Sequence, residues 1–231
     1  MIQDIELPQE IKVAVTAARH EVAVHPKHFL HPKTRRALYD LIQSLLPTTA
    51  QQMRGWIAFI TAQRVLPIFE RSLPDEHMPR RLLALAQRIL VGSLSPNSWR
   101  VKRYVDLSYH AAGHSWGRDE AEVRYSADVA GYAARKAILE VLGYEPLRKL
   151  HYLHVFTEQR LSGDDLSDLH LASDEMGDTA SAAAIAYATE SDDQREAPQR
   201  LQYFWEWWLQ DAITQGWKQA HNNPLLPNTA L

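Results

Sequence analysis

Hydrophobic positions recur along this chain at intervals of three and four, the spacing of one helix face after another. A first helix is expected over about residues 8–23, opening at Pro8, and a His/Pro-rich connector follows it. Over about 32–46, Ala37, Leu38, Leu41, Ile42, Leu45 and Leu46 share one face, and Pro47 ends the run. A third helix over about 50–73 carries Met53, Trp56, Ile57, Ile60, Val65, Ile68 and Phe69. Pro67 lies inside it, and the hydrogen bond it removes predicts a kink or a break. A fourth starts near Pro79 and runs through Leu82, Leu83, Leu85, Ala86, Ile89 and Leu90 to Gly92. Ser95 is read as the N-cap of a fifth, with Pro96 at the first helical position, and that helix extends to about Ala112.

The sixth stripe, over about 118–142, is rich in alanine: Ala127, Ala130, Ala134 and Ala137 join Val123, Ile138 and Val141, while Arg124, Asp128, Arg135 and Lys136 lie off it. Gly143 suits the residue just past its end. Residues 145–160 read as a short helix and 161–177 as a polar loop. A second alanine-rich helix over about 178–190, capped by Asp178, is its natural neighbour. The last helix starts after Pro198. Its Leu201, Tyr203, Phe204, Trp205, Trp207, Trp208, Leu209, Ala212, Ile213 and Trp217 cover most of the circumference, and only Gln202, Glu206 and Gln210 mark a narrow polar face. Such a helix belongs in the middle of the fold. No period-two alternation and no fixed repeat competes with this reading. The expectation is an all-α, single-domain, irregular bundle of about eight helices around a Trp-rich C-terminal helix. It spans 1–231, with loose tails at about 1–7 and 222–231.

Composition narrows the chemistry. The chain has no cysteine, which removes disulfides, thiolate metal sites and cysteine nucleophiles. The acidic N-terminus lacks the basic start and apolar run of a signal peptide, and no stretch is apolar enough to span a bilayer, so the cytoplasm is expected. The net charge of −3 is unevenly spread, because residues 161–194 hold nine acidic residues and no Lys or Arg. Such a segment is a solvated loop or a face for a basic partner.

Candidate sites are few. The pairs His28/His31, His110/His114 and His151/His154 have spacings at which two imidazoles can share a metal, but a zinc site needs further ligands, and His110–His114 lacks the glutamate of HExxH. No glycine-rich phosphate loop and no GxSxG elbow occurs. Arg80, Arg81, Arg88, Arg100, Lys102 and Arg103 could form a basic patch, yet the net charge is negative and no nucleic-acid motif accompanies them. The tryptophans of residues 204–209 read as core, with Glu206 or backbone carbonyls as partners for their indoles. No metal or cofactor is expected.

Five segments together resemble a known family. They are Arg54–Ile57 through Ala62-Gln63-Arg64-Val65-Leu66-Pro67-Ile68-Phe69-Glu70, Leu82–Ala86 with Gly92, Ala130–Ala134 with Lys136-Ala137, the alanine-rich Asp178–Ala188, and Arg200 through Phe204-Trp205-Glu206-Trp207-Trp208-Leu209 with Ala212 and Trp217 beyond it. In this order they resemble an all-helical immunity family of bacterial polymorphic toxin systems, the one numbered five. The resemblance covers about residues 35–220. It implies a small cytoplasmic, non-catalytic protein, without cofactor, that binds the toxin domain encoded beside it and blocks it; stoichiometric occlusion is the expected mode. Asp164, Asp165, Asp168, Asp174 and Glu175 are the expected partner-binding residues, placed over a basic cleft such as a toxin that acts on nucleic acid would offer; nucleic acid and membrane are not themselves expected partners. Two other classes stay open: an enzyme with a histidine/carboxylate pocket between the alanine-rich helices, using His110 or His151, and a helical regulatory scaffold.

Overall fold

The structure, a computed structural model, describes residues 6–113, 124–143, 178–191 and 193–224. The helices are α1 (Gln9–Val24), α2 (Pro32–Leu45), α3 (Ala50–Ser72), α4 (Met78–Leu90), α5 (Trp99–Gly113), α6 (Tyr125–Val141), α7 (Thr179–Ala188), α8 (Ala197–Trp207) and α9 (Ile213–Asn222). A 3₁₀ turn over Gln194–Glu196 leads into α8, and a π-helical turn over Trp208–Ala212 joins α8 to α9 without a break. No strand occurs among the described residues. The fold is all-α.

Local chemistry accounts for several of the helix ends. The His31 side chain caps α2 by accepting from the Lys33 amide, and Pro32 follows in the first turn. Gly92 has φ +72° just past α4, and the Gly92 and Ser93 amides return to the carbonyls of Ile89 and Arg88. This is the left-handed closure that glycine permits. Gly143 does the same past α6 at φ +89°. Three expectations are refined. Helix α3 does not break at Pro67 but continues through it, and the buried residues on either side, Val65, Ile68 and Phe69, hold the turn whose hydrogen bond the proline lacks. Helix α5 begins at Trp99: Ser95 and Pro96 form a preceding turn, and Ser98 receives the amides of Arg100 and Lys102 instead. Helix α6 starts at Tyr125 after an extended Arg124.

Helices α3, α6 and α7 form the middle. The α7 helix is enclosed all round, with nine of its ten residues buried, which suits a segment apolar on every side. It packs on α6, α3 and α8. Small residues allow these close approaches. A methyl group on Gly55 would lie 2.9 Å from Leu90 and 3.3 Å from Val141. One on Gly216 would lie 2.5 Å from the Ile57 side chain and 3.2 Å from its amide, so α9 rests directly on the backbone of α3. The C-terminal helix buries Trp205, Trp208, Leu209 and Ile213. Helix α8 packs on α7 and α1, and α9 on α3, while Tyr203, Gln210 and Asp211 face outward.

Candidate functional site

Two constellations stand out, one buried and one on the surface. The buried one joins α2, α3, α6 and the start of α7. The Arg35 guanidinium donates from Nε to Asp178 Oδ2 at 2.9 Å, from Nη2 to Oδ1 at 3.1 Å, and from Nη1 to the Leu30 carbonyl at 2.6 Å. Both side chains are 1% exposed. Asp178 also accepts the Ser181 amide at 2.9 Å and so caps α7. Beside it, Glu140 Oε1 accepts the Thr179 amide at 2.8 Å and the Thr179 hydroxyl at 2.6 Å. The Arg35 guanidinium lies 5.1 Å from the Trp205 ring centroid, and that of Arg54 lies 4.9 Å from Tyr39.

The two carboxylates titrate apart. Burial pushes the Asp178 carboxyl up, but the Arg35 charge and its hydrogen bonds, with those from Ser181, bring it below the ordinary aspartate value. Glu140 has no such fork. Burial and the nearby Asp178 charge raise it to about 7, against the Thr179 hydrogen bonds and the Arg54 charge. Burial, then the Glu140 and Asp178 charges, raise the Tyr39 hydroxyl well above its usual value. A carboxyl near neutrality can serve as a general acid. Here Glu140 is 2% exposed and its bonded oxygen holds the first turn of α7. The arrangement ties helices together.

The surface constellation forms where α3, α7 and α8 meet. The Arg64 guanidinium lies 4.2 Å from the Trp207 ring centroid, 5.6 Å from that of Tyr187 and 5.8 Å from that of Tyr203. Tyr187 and Tyr203 stack at 6.2 Å and 18°. Arg200 lies 4.6 Å from the Tyr187 ring, donates to the Tyr187 carbonyl at 2.8 Å, and donates to Glu190 at 2.6 Å. Arg71 donates to the other oxygen of Glu190. Tyr203 is 57% exposed, and Arg64, Tyr187, Arg200 and Trp207 are half-buried. Arg64 has no carboxylate partner among the described residues, and its Nε has no hydrogen-bond partner there.

With this geometry in place, the family comparison is decisive. A family model described as Immunity protein Imm5 matches residues 15–215, most of the chain. The chain belongs to the Imm5 immunity protein family. No curated protein matches it.

The Imm5 match runs from within α1 to within α9, so it takes in both constellations. Of the residues singled out beforehand, Asp164, Asp165, Asp168, Asp174 and Glu175 lie outside the described residues, as do His114, His151, His154 and the segments 145–160 and 161–177. His110 falls in the last turn of α5. His28 and His31 do not assemble a metal site. The His28 Nδ1 lies 3.0 Å from the Val22 carbonyl and the His31 Nδ1 accepts the Lys33 amide, so each ring stabilises the connector backbone. No cluster of metal-ligating residues occurs among the described residues. Arg80 of the basic patch pairs with Glu70 at 2.6 Å.

The aromatic reading holds in part. Trp205 and Trp208 are fully buried and Trp217 nearly so, but Trp207 belongs to the surface platform. Neither Glu206 nor a carbonyl serves the Trp208 indole, which donates to the Thr61 hydroxyl at 3.1 Å, while Glu206 accepts from Gln202. The sequence reading missed Arg35, Glu140 and the platform. Lys136, placed off the apolar stripe, is 5% exposed. The one local signal was Asp178, recognised as a cap, whose partner Arg35 lies 143 residues away.

Proposed function

We propose that this chain neutralises a cognate toxin domain by forming a stoichiometric complex that occludes it, without catalysis. The observation that carries the proposal is membership in an immunity protein family over residues 15–215. The distribution of charge supports a binding role. Among the described residues the most enclosed charged groups are engaged within the fold, Arg35 with Asp178, and Asp178 and Glu140 with the first turn of α7, whereas Arg and aromatic side chains gather on the outside.

The acidic segment supplies a second element of the proposal. Asp164, Asp165, Asp168, Asp174 and Glu175 act as a surface for a basic toxin, one whose own substrate is nucleic acid. Carboxylates arrayed in this way speed encounter with a cationic partner. The complex forms in the cytoplasm; no described helix is long and apolar enough to cross a membrane.

Co-expression tests the proposal. The tagged chain is purified together with the toxin domain encoded beside it, and growth is scored with and without the chain. A one-to-one complex with restored growth is expected. No complex and no rescue would sink the proposal and return attention to His110 and His151. Reversing three of the five acidic residues should slow association and flatten its salt dependence. An unchanged rate would remove the acidic segment from the interface and leave the immunity role intact.

A further inference from the structure

We propose that the platform of Arg64, Tyr187, Tyr203 and Trp207 is the anchor site for the toxin domain, and that it receives a carboxylate-bearing segment of that domain. The placement rests on the immunity reading above.

Four observations support it. Arginine, tyrosine and tryptophan are the residue types that carry most binding energy at protein interfaces, and here they are contiguous, with Arg64 over three rings. The charge is incomplete. Arg71 and Arg200 share the single carboxylate of Glu190, and Arg64 has none among the described residues. A guanidinium resting on aromatic rings keeps its donors for an acceptor, and a carboxylate matches its fork. Finally, the platform is ordered before any partner arrives: Tyr203 is stacked on Tyr187, and every ring stands on a helix, so few rotamers remain to be frozen on binding.

Trp99 supplies the contrast. It is the more exposed side chain, at 66%, and its ring has Arg100 at 5.7 Å and no aromatic neighbour among the described residues. Exposed apolar area without a pre-arranged pocket contributes little to affinity.

The test uses the full chain and a catalytically inactive form of the toxin domain encoded beside it. Kd is measured by calorimetry for the wild type, Tyr203→Ala, Arg64→Gln and Trp99→Ala, and each variant is also melted. Tyr203→Ala and Arg64→Gln should weaken binding by about 30-fold, the scale of an interface hot spot. Trp99→Ala should bind as the wild type does. Tyr203 is exposed enough that its variant keeps the wild-type melting temperature, so the measurement does not depend on Arg64→Gln folding well. An unchanged Kd for Tyr203→Ala, with wild-type binding intact, overturns the placement alone. So does a wild-type chain that dimerises through this platform, or a platform that binds a single-stranded oligonucleotide in place of the toxin domain. Failure of the wild-type chain to bind the toxin domain overturns the immunity reading and the placement together.

Discussion

Arg35 and Arg64 both lie over a tryptophan, at 5.1 Å and 4.2 Å from the ring centroids, yet they belong to opposite parts of the molecule. Arg35 is 1% exposed, and its fork is filled by both oxygens of Asp178 and by a carbonyl. Arg64 is half-buried, leans on three aromatic rings and meets no carboxylate among the described residues. The difference is one of completion. A charge taken out of water must have its partners within the fold, because leaving it alone there costs several kcal/mol. Arg64 is only partly withdrawn from water: its Nε is covered and unbonded among the described residues, while the side chain as a whole stays half-buried and available to a partner. The first arrangement specifies how α2 meets α7; the second rests across α3, α7 and α8 but leaves the Arg64 charge without a carboxylate among the described residues.

The sharpest way to break this comparison is Asp178→Ala. It strands the Arg35 guanidinium inside the protein and removes the cap of α7, and should cost about 3–5 kcal/mol in equilibrium urea unfolding. A loss under about 1 kcal/mol would mean that Arg35 finds water, and the buried cluster would then be no different from the surface one. Replacing both partners with apolar residues should restore part of the loss, since the pair itself is a weak source of stability once its partners are gone together.

Glu140 sharpens the comparison through pH. Its folded value of about 7 lies above the ordinary 4.5, so the folded state holds a proton that the unfolded state has lost between these values. The stability contributed is full below pH 4.5 and is lost as pH rises through about 7. Asp178 runs the other way, contributing stability above pH 3.8 that disappears as pH falls through its lowered folded value. Glu140→Gln should flatten the fall in stability between pH 5 and 7.5, which in the wild type is on the order of 3 kcal/mol. Identical pH slopes for variant and wild type would show that Glu140 is charged inside the fold.

A neutral bond in the same core should matter less. Thr61→Val leaves the buried Trp208 indole without its acceptor, and a cost of about 1–3 kcal/mol is expected in thermal unfolding. At the surface the effect should nearly vanish. Glu190 is 29% exposed and Arg71 62%. Glu190→Gln should therefore shift stability by no more than about 1 kcal/mol, the scale of an exposed ion pair. A larger loss would place the platform among the structural elements and weaken the case that it serves a partner.

Much of this architecture was legible in the residues. The three-four spacing located the described helices to within a few residues, except for the start of α6, which lies seven residues beyond the expected residue 118, and the alanine runs of α6 and α7 announced two helices able to approach closely. Asp178 was legible as a cap because capping joins a side chain to an amide three residues away. Arg35 was not legible as a core residue. Nothing in its own neighbourhood distinguishes it from Arg36, which pairs at the surface with Asp40. The platform escaped for a similar reason. Its residues come from three segments, and Trp207 and Tyr203 sit in a helix whose other aromatics are core, so the wheel alone assigned them inward. The π turn at Trp208–Ala212 compounds this, because a wheel drawn at 100° per residue loses register across it.

What the sequence by itself determined was therefore the set of helices, the prolines, glycines and caps at many of their ends, and the membership of most core positions. These depend on contacts within about four residues, which any window of the chain contains. The tertiary structure alone decided which charges go inside and which aromatic rings stay out, because each of those choices depends on the partner it meets. Arg35 is tolerated in the core only because Asp178 arrives from 143 residues away to neutralise it, and Arg64 remains at the surface because no such carboxylate among the described residues reaches it.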